Sequence, residues 1–303
     1  MKKNALRITR RTVLGTAAAV AAGSVLGPTS AVSAAEKPNS VFGGVQIGTI
    51  TYSFRSLPSS AEDLLKYITE CGISSVELMG GPAEEYAGLP KGLKGNDLLK
   101  WRLSAPMKKY EELGRLYADA GVKIHIVKFG DIGNPGMPDE QIEYYFNVAK
   151  ALGAGAITRE LSPEAAKRLG PMADKHNVKI GFHNHTQLRF DTYDGEILTY
   201  GKNLGINLDI GHYVAGANRC PIELIKKYGD RIVSLHIKDR KVNNGPNMPL
   251  GQGDTPLALV LLHMKENGLK FPADIELEYK IPEGSDAVTE VRKCVEFCKQ
   301  VLA

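Results

Sequence analysis

Acidic residues are missing from the first 35 positions of this 303-residue chain, which hold Lys2, Lys3, Arg7, Arg10 and Arg11. That imbalance accounts for the whole of the formal +4 charge. Beyond it, thirty-three basic residues stand against thirty-four acidic ones, so the body of the chain carries no electrostatic footprint for nucleic acid or an anionic membrane. Cysteine is scarce. None of Cys71, Cys220, Cys294 and Cys298 makes a close metal-type pair with a histidine, which argues against a cysteine-built structural zinc site. They read as small buried hydrophobes, with oxidation of a pair left open if the chain is exported. Long apolar runs are lacking too. The longest, "TVLGTAAAVAAGSVLG", is Ala- and Gly-rich and falls short of the roughly 20 residues a membrane span needs. There is one tryptophan, Trp101, no low-complexity tract, and no glycine-rich phosphate turn in "TITYSFRSLPSS" after the first apolar stretch.

What is present at the N-terminus has the order of a targeting segment. A basic stretch leads into the apolar run and then into "TSAVSAA", whose small residues suit cleavage near Ala34 or Ala35. "TRRTVLG" resembles the twin-arginine export signal, with Arg10 and Arg11 as the pair and Val13 and Gly15 where Phe and Lys are common. Residues 1–35 are therefore expected to be a signal peptide. The expected destination is the bacterial periplasm, with no membrane anchor after cleavage. Twin-arginine export carries folded proteins, which matters if a metal is loaded beforehand.

From residue 41 onward, apolar strands alternate with amphipathic helical stretches. The strands expected are 45–54, 75–80, 123–130, 154–161, 179–186, 205–212, 232–239 and 273–279. Helical stretches between them include "SSAEDLLKYITECG", where Ser60 is placed to cap, and several that open on Pro and close on Gly or Asn. Eight strand–helix units over 41–303 fit one α/β domain, a closed (β/α)8 TIM barrel, ahead of an open doubly wound sheet. The stretch 80–104 reads as irregular, placed either over the active face or as a mobile insertion.

Period-two alternation then sorts the side chains. With the apolar face outward, Glu77, Thr158, Glu160, His183, His185, Asp209, Ser234, His236, Lys238, Asp274, Glu276 and Glu278 point inward. A lone histidine or aspartate on a strand is ordinarily structural. Five strands aiming Glu, His, Asp, His and Glu at the C-terminal mouth are harder to explain, because clustered buried carboxylates cost several kcal/mol each. A divalent cation is the simplest remedy. Carboxylates with imidazole favour Mn2+, with Mg2+, Co2+ and Zn2+ as the other candidates.

The order "ITREL", "GFHNH", "LDIGH", "HIKD" and "IELE" resembles the xylose isomerase-like TIM-barrel superfamily, nearest its sugar phosphate isomerase/epimerase group. The resemblance covers nearly the whole mature chain. It implies one divalent metal held by Glu160, Asp209, His236 and Glu276, with His185 and His212 touching substrate. It also implies that Glu160 and Glu276 exchange protons with a substrate carbon. His183-Asn184-His185 departs from the Glu-Asn-His common on strand five, which places His183 with the substrate-binding residues. The family's arginine near strand seven has no clear counterpart, and Lys238 and Arg240 are the candidates to replace it. Endonuclease IV shares the fold but needs three zinc ions and more histidines.

The expected reaction is metal-assisted proton abstraction beside a carbonyl, passing through an enediolate. Sugar phosphates are mainly cytoplasmic, so a free sugar or keto-sugar is the expected substrate. Two rivals are a lyase that cleaves 3-keto-glycosides by β-elimination and a non-catalytic, metal-dependent sugar-binding protein. The sequence leaves the sugar, the native metal, the oligomeric state and the choice between Glu276 and Glu278 open.

Overall fold

The computed structural model describes residues 37–303, and the expected signal peptide lies outside the described residues. Eight strands form the centre: β1 Val45–Ile50, β2 Ser75–Met79, β3 Lys123–Lys128, β4 Ala156–Glu160, β5 Lys179–His183, β6 Leu204–Asp209, β7 Ile232–Ile237 and β8 Ala273–Ile275. Each pairs in parallel with its neighbours, and β8 returns to β1, so the sheet closes and has no free edge. Val41–Phe42 lies antiparallel on the start of β1. This is the closed TIM barrel that the strand–helix alternation predicts, in a single domain.

The alternation of residue types dictates two different layers. Ile47, Leu78, Ile180, Phe182, Leu208 and Leu235 are fully buried against the surrounding helices. The opposite faces carry Glu77, Thr158, Asn207, Ser234, His236 and Asp274, also fully buried, inside the barrel. They meet across it: Thr158 Oγ1 donates to Glu77 Oε1 at 2.5 Å, and Asn207 Nδ2 donates to Ser234 Oγ at 2.6 Å. A barrel interior is a packed core, and here much of that packing is polar and hydrogen-bonded.

Several expectations need correction. The strands stop earlier than periodicity implies, at Ile50, His183, Asp209 and Ile275, and the polar residues after them stand on loops or helix starts. At Asp209 the reason is local. Its Oδ1 accepts from the His212 amide at 2.7 Å, capping the helix Ile210–Ala217 and turning the chain. Asn184 substitutes for the missing ladder there, accepting from the Asp209 N–H at 3.0 Å and donating to its carbonyl at 3.1 Å. A helix does not follow β5. Residues 184–203 form turns, anchored by buried Leu188, Tyr193, Ile197 and Leu198, while Arg231 donates to the carbonyls of Leu198, Gly201 and Leu204.

The stretch 80–104 is not irregular. It holds the helices Gly80–Tyr86 and Gly95–Ser104, tied by a two-pronged Arg102–Glu84 pair at 2.8 and 3.1 Å. Trp101 packs half-buried against the core. All four cysteines are free; Cys71, Cys294 and Cys298 are buried as expected, but Cys220 is exposed. Ser60 caps Ala61–Glu70 through the Asp63 amide, as its position predicts. Gly211 permits one close approach that the site uses. A Cβ there would lie 2.5 Å from the Lys238 carbonyl oxygen, so only glycine lets the helix after β6 rest on the segment after β7. Among the described residues, no helix is long and apolar enough to cross a membrane.

Candidate metal centre at the C-terminal mouth

The ends of β5, β6, β7 and the segment after β8 bring His183, Asp209, His236 and Glu276 together, with one donor atom of each within 4.8 Å of the others. All four are buried. Asp209 and His236 have no exposure at all, because they sit on the last inward positions of their strands. Asp209 Oδ1 is used by the helix cap, whereas Oδ2 has no hydrogen-bond partner. The nearest cation is Lys238, whose Nζ stands 3.0 Å from Oδ2 without hydrogen-bond geometry. His236 is gripped on both sides, with Nδ1 3.1 Å from Glu276 Oε2 and Nε2 3.0 Å from Glu77 Oε2.

Lys238 was expected at the substrate face. The structure buries it, with 2% exposure, in the middle of the acids. Its Nζ lies 2.8 Å from Glu276 Oε2, 2.7 Å from Glu278 Oε2 and 2.9 Å from His212 Nε2. Both glutamates therefore touch the ammonium, but Glu276 alone of the two reaches His236 as well. Burial works against every charge here. For Lys238 it would lower the pKa, but Asp209, Glu276 and Glu278 outweigh it and hold the ammonium charged. For Glu276 burial would raise the pKa, and Lys238 and His236 hold it well below the usual range. Asp209 is lowered in the same way by Lys238 and His212.

The imidazoles are differentiated by surroundings. His183 is driven down to about 3 by burial, then by Lys128 and His236, and is neutral at ordinary pH. His236 behaves oppositely: burial is overcome by Glu77 and Glu276, lifting it to about 10. His212 is lowered by burial and stays neutral. Its Nδ1 faces Arg240 Nη1 at 2.7 Å and its Nε2 faces Lys238 Nζ at 2.9 Å, so cations that only donate flank both ring nitrogens. Arg240 thus orients His212 and also binds the Gly245 carbonyl.

Glu160 stands slightly apart. Its Oε1 is 3.1 Å from Lys128 Nζ and its Oε2 is 2.9 Å from His185 Nε2. It gathers with His183 and His185 in a second group that shares His183 with the first. The structure therefore brings three of the four ligands implied by resemblance into one cluster, and sets His183 beside them where Glu160 was expected. Burial would raise the Glu160 pKa; the His185 hydrogen bond and Lys128 reverse this and hold it far below the usual range. With 40% of its side chain exposed, Glu160 is the acid most open to a ligand at the mouth. His185, also exposed, stacks on His212 with centroids 4.9 Å apart.

Sequence reasoning overlooked Asn207 and Asp239. Asn207 sits two residues before Asp209, and so on the same inward face, which was the available signal. Asp239 accepts from the amides of Gly251, Gly253 and Thr255 at 2.9, 2.8 and 3.1 Å, pinning the loop that follows the mouth. No periodicity announces that role.

Two carboxylates and two imidazoles, buried together with one carboxylate oxygen that accepts no hydrogen bond, fit a divalent cation of borderline character. The chain belongs to the xylose isomerase-like TIM barrel family, whose model matches residues 65–301. No curated protein matches it by sequence. Among solved structures it is similar to the probable 3-DHS dehydratase of petrobactin synthesis from Bacillus anthracis, at 16% identity and a TM-score of 0.62 over 83% of this chain and 98% of that one. It is likewise similar to 3-keto-D-glucoside 4-epimerase from E. coli, at 13% and 0.61 over 84% and 99%. A third is a xylose isomerase-like TIM barrel protein from Mycobacterium smegmatis, in complex with magnesium, at 16% and 0.58 over 85% and 96%. At such identities the likeness shows the fold alone.

Lys238 acts as a resident counter-ion for Asp209, Glu276 and Glu278. Lys238→Met should cost the metal-free protein about 3 kcal/mol or more, the scale of a buried pair broken on one side. Urea unfolding with chelator measures the loss, and added Mn2+ should recover part of it. Equal stability of variant and wild type without metal would contradict this role.

Proposed function

We propose that the protein is a divalent-metal-dependent sugar isomerase or epimerase, acting on a free sugar or keto-sugar by moving a proton on the carbon beside a carbonyl. The observation that carries this reading is the buried His183–Asp209–His236–Glu276 cluster with the exposed carboxylate of Glu160 beside it. The cation held by Asp209, His236 and Glu276, with His183 or Glu160 completing the set, is taken to be Mn2+. Bound there, it supplies Lewis acidity toward a carbonyl oxygen and so eases enediolate formation.

The remaining work falls to side chains of the chain itself. Glu160 is ionised and open to the mouth, and a substrate that displaces its contacts with His185 and Lys128 would release the carboxylate to act as the general base. Glu276, on the opposite side, is the partner that returns or receives the proton. Lys238 directs an ammonium at the same place, where it stabilises negative charge on a substrate oxygen. His185 and His212, stacked at the rim, and Arg240 behind His212 order the sugar hydroxyls.

One feature favours the second reading, β-elimination from a 3-keto-glycoside. The Lys238 ammonium stands 2.9 Å from His212 Nε2 and 3.0 Å from Asp209 Oδ2, where it can pass a proton to a departing oxygen. We also propose export through the twin-arginine route, supported by the order of basic, apolar and small residues in 1–35. Replacing Arg10 and Arg11 together by lysine should then leave the protein unprocessed in the cytoplasm. Unchanged periplasmic recovery would remove the export reading.

The functional test joins metal analysis to turnover. Wild type should hold about one divalent ion per chain and convert a keto-sugar to a product of unchanged mass in the presence of Mn2+. Glu276→Gln should lose both metal and activity, the latter by a factor on the order of a hundred or more. Fragments in place of isomers would establish elimination. Saturable sugar binding without turnover, or full activity in Glu276→Gln, would sink the isomerase mechanism.

A further inference from the structure

Glu77 lies deeper in the barrel than any residue expected to touch substrate, and it is fully buried. Its Oε1 accepts from Thr158 Oγ1 at 2.5 Å. Its Oε2 faces two groups, His236 Nε2 at 3.0 Å and Asn207 Nδ2 at 3.2 Å. An ionised carboxylate only accepts, and this has consequences for both neighbours. His236 must present Nε2–H to Glu77, which leaves Nδ1 as the nitrogen on the Glu276 side. Asn207 must present its amide NH2 to Glu77, because the flipped amide would set carbonyl oxygen against carboxylate oxygen. The same NH2 donates to Ser234 Oγ at 2.6 Å.

With its NH2 committed, Asn207 turns its carbonyl oxygen to His183, where Oδ1 lies 2.7 Å from Nδ1. That nitrogen therefore carries the proton, and Nε2 of His183 is left with its lone pair. A single carboxylate on β2 thereby dictates which nitrogen each of two histidines turns toward the site, one on β5 through the β6 asparagine and one on β7 by contact. Neither His183 Nδ1 nor His236 Nε2 is free to serve as a ligand.

We propose that Glu77 is a positioning residue which, through Asn207, holds His183 in the Nδ1–H tautomer and His236 with Nε2 blocked, so that His183 Nε2 and His236 Nδ1 form a two-nitrogen half of the metal centre facing Asp209 and Glu276. This rests on the metal-dependent reading above and adds two things to it. His183 becomes a metal ligand rather than a substrate contact. The donor set becomes two nitrogens and two carboxylates, which selects Mn2+, Co2+ or Zn2+ over Mg2+.

The first test needs neither metal nor variant. In chelator-treated, histidine-15N-labelled wild type, long-range proton–nitrogen correlation should show His183 with Nδ1 protonated and Nε2 bare. The Nε2–H tautomer at His183 overturns the inference. The second test adds Mn2+ and reads histidine nitrogens by electron spin-echo modulation, with two coupled imidazoles expected in wild type. Glu77→Gln, whose amide can donate and so frees Asn207 to flip, should weaken Mn2+ binding about 10- to 100-fold and scramble the His183 tautomer. Unchanged affinity together with an unchanged tautomer in that variant also overturns it. A single coupled imidazole in protein that still isomerises sugar defeats the inference and leaves the proposed function standing. Wild type that binds no Mn2+ defeats both.

Discussion

Like charges brought together in a low-dielectric interior need compensation, and the whole upper half of this barrel is arranged around that constraint. Glu77, Asp209, Glu276 and Glu278 stand within one connected group of side chains, against a single ammonium and one cationic imidazole. Lys238 and His236 are where they are because the carboxylates require them, and Thr158 and Asn207, the latter backed by Ser234, take up the remaining lone pairs of Glu77. A satisfied network of this kind is rigid. Rigidity is what a metal site on separate strands needs, since a ligand set displaced by an ångström loses its ion.

The barrel also explains why chemistry gathers at one mouth. Strand ends supply inward side chains at fixed spacing, and the segments beyond them are released from the ladder to carry function. Asp209 shows both sides of that transition. One oxygen terminates the strand by capping the next helix, and the other is left facing the site. Gly211 then allows that helix to settle on the Lys238 segment, which brings His212 to within 2.9 Å of the lysine. Position in the site is thus set by backbone packing several residues away from the side chains that do the chemistry.

Much of this was legible in the sequence, for a physical reason. A strand has period two, so an apolar outer face at Leu208 or Leu235 commits Asp209 and His236 to the inside whatever the register. The gathering of Asp209, His236 and Glu276 follows from that rule, and the closed barrel from the eight alternating strand–helix units. What periodicity does not encode is where a strand stops, because capping and side-chain substitution of the ladder by Asn184 decide it. Nor does it encode lateral distance around the mouth. Glu160 and His183 alternate inward equally well, yet Lys128 and His185 draw Glu160 outward while Asn207 holds His183 in. The missing helix after β5 had no helical signature to betray its absence, since Asp, Thr and Gly over 184–203 suit turns and helix ends alike.

In the proposed reading, Asp209, His236 and Glu276 lie together with His183 because a divalent ion belongs between them. Anomalous scattering from crystals grown with Mn2+ tests this most directly. A single strong peak at ligand distance, about 2.1–2.3 Å, from a nitrogen of His236 and an oxygen of both Asp209 and Glu276 is the predicted result. Ordered crystals at saturating Mn2+ in which the Lys238 ammonium still bridges those carboxylates, with no manganese between them, would contradict it.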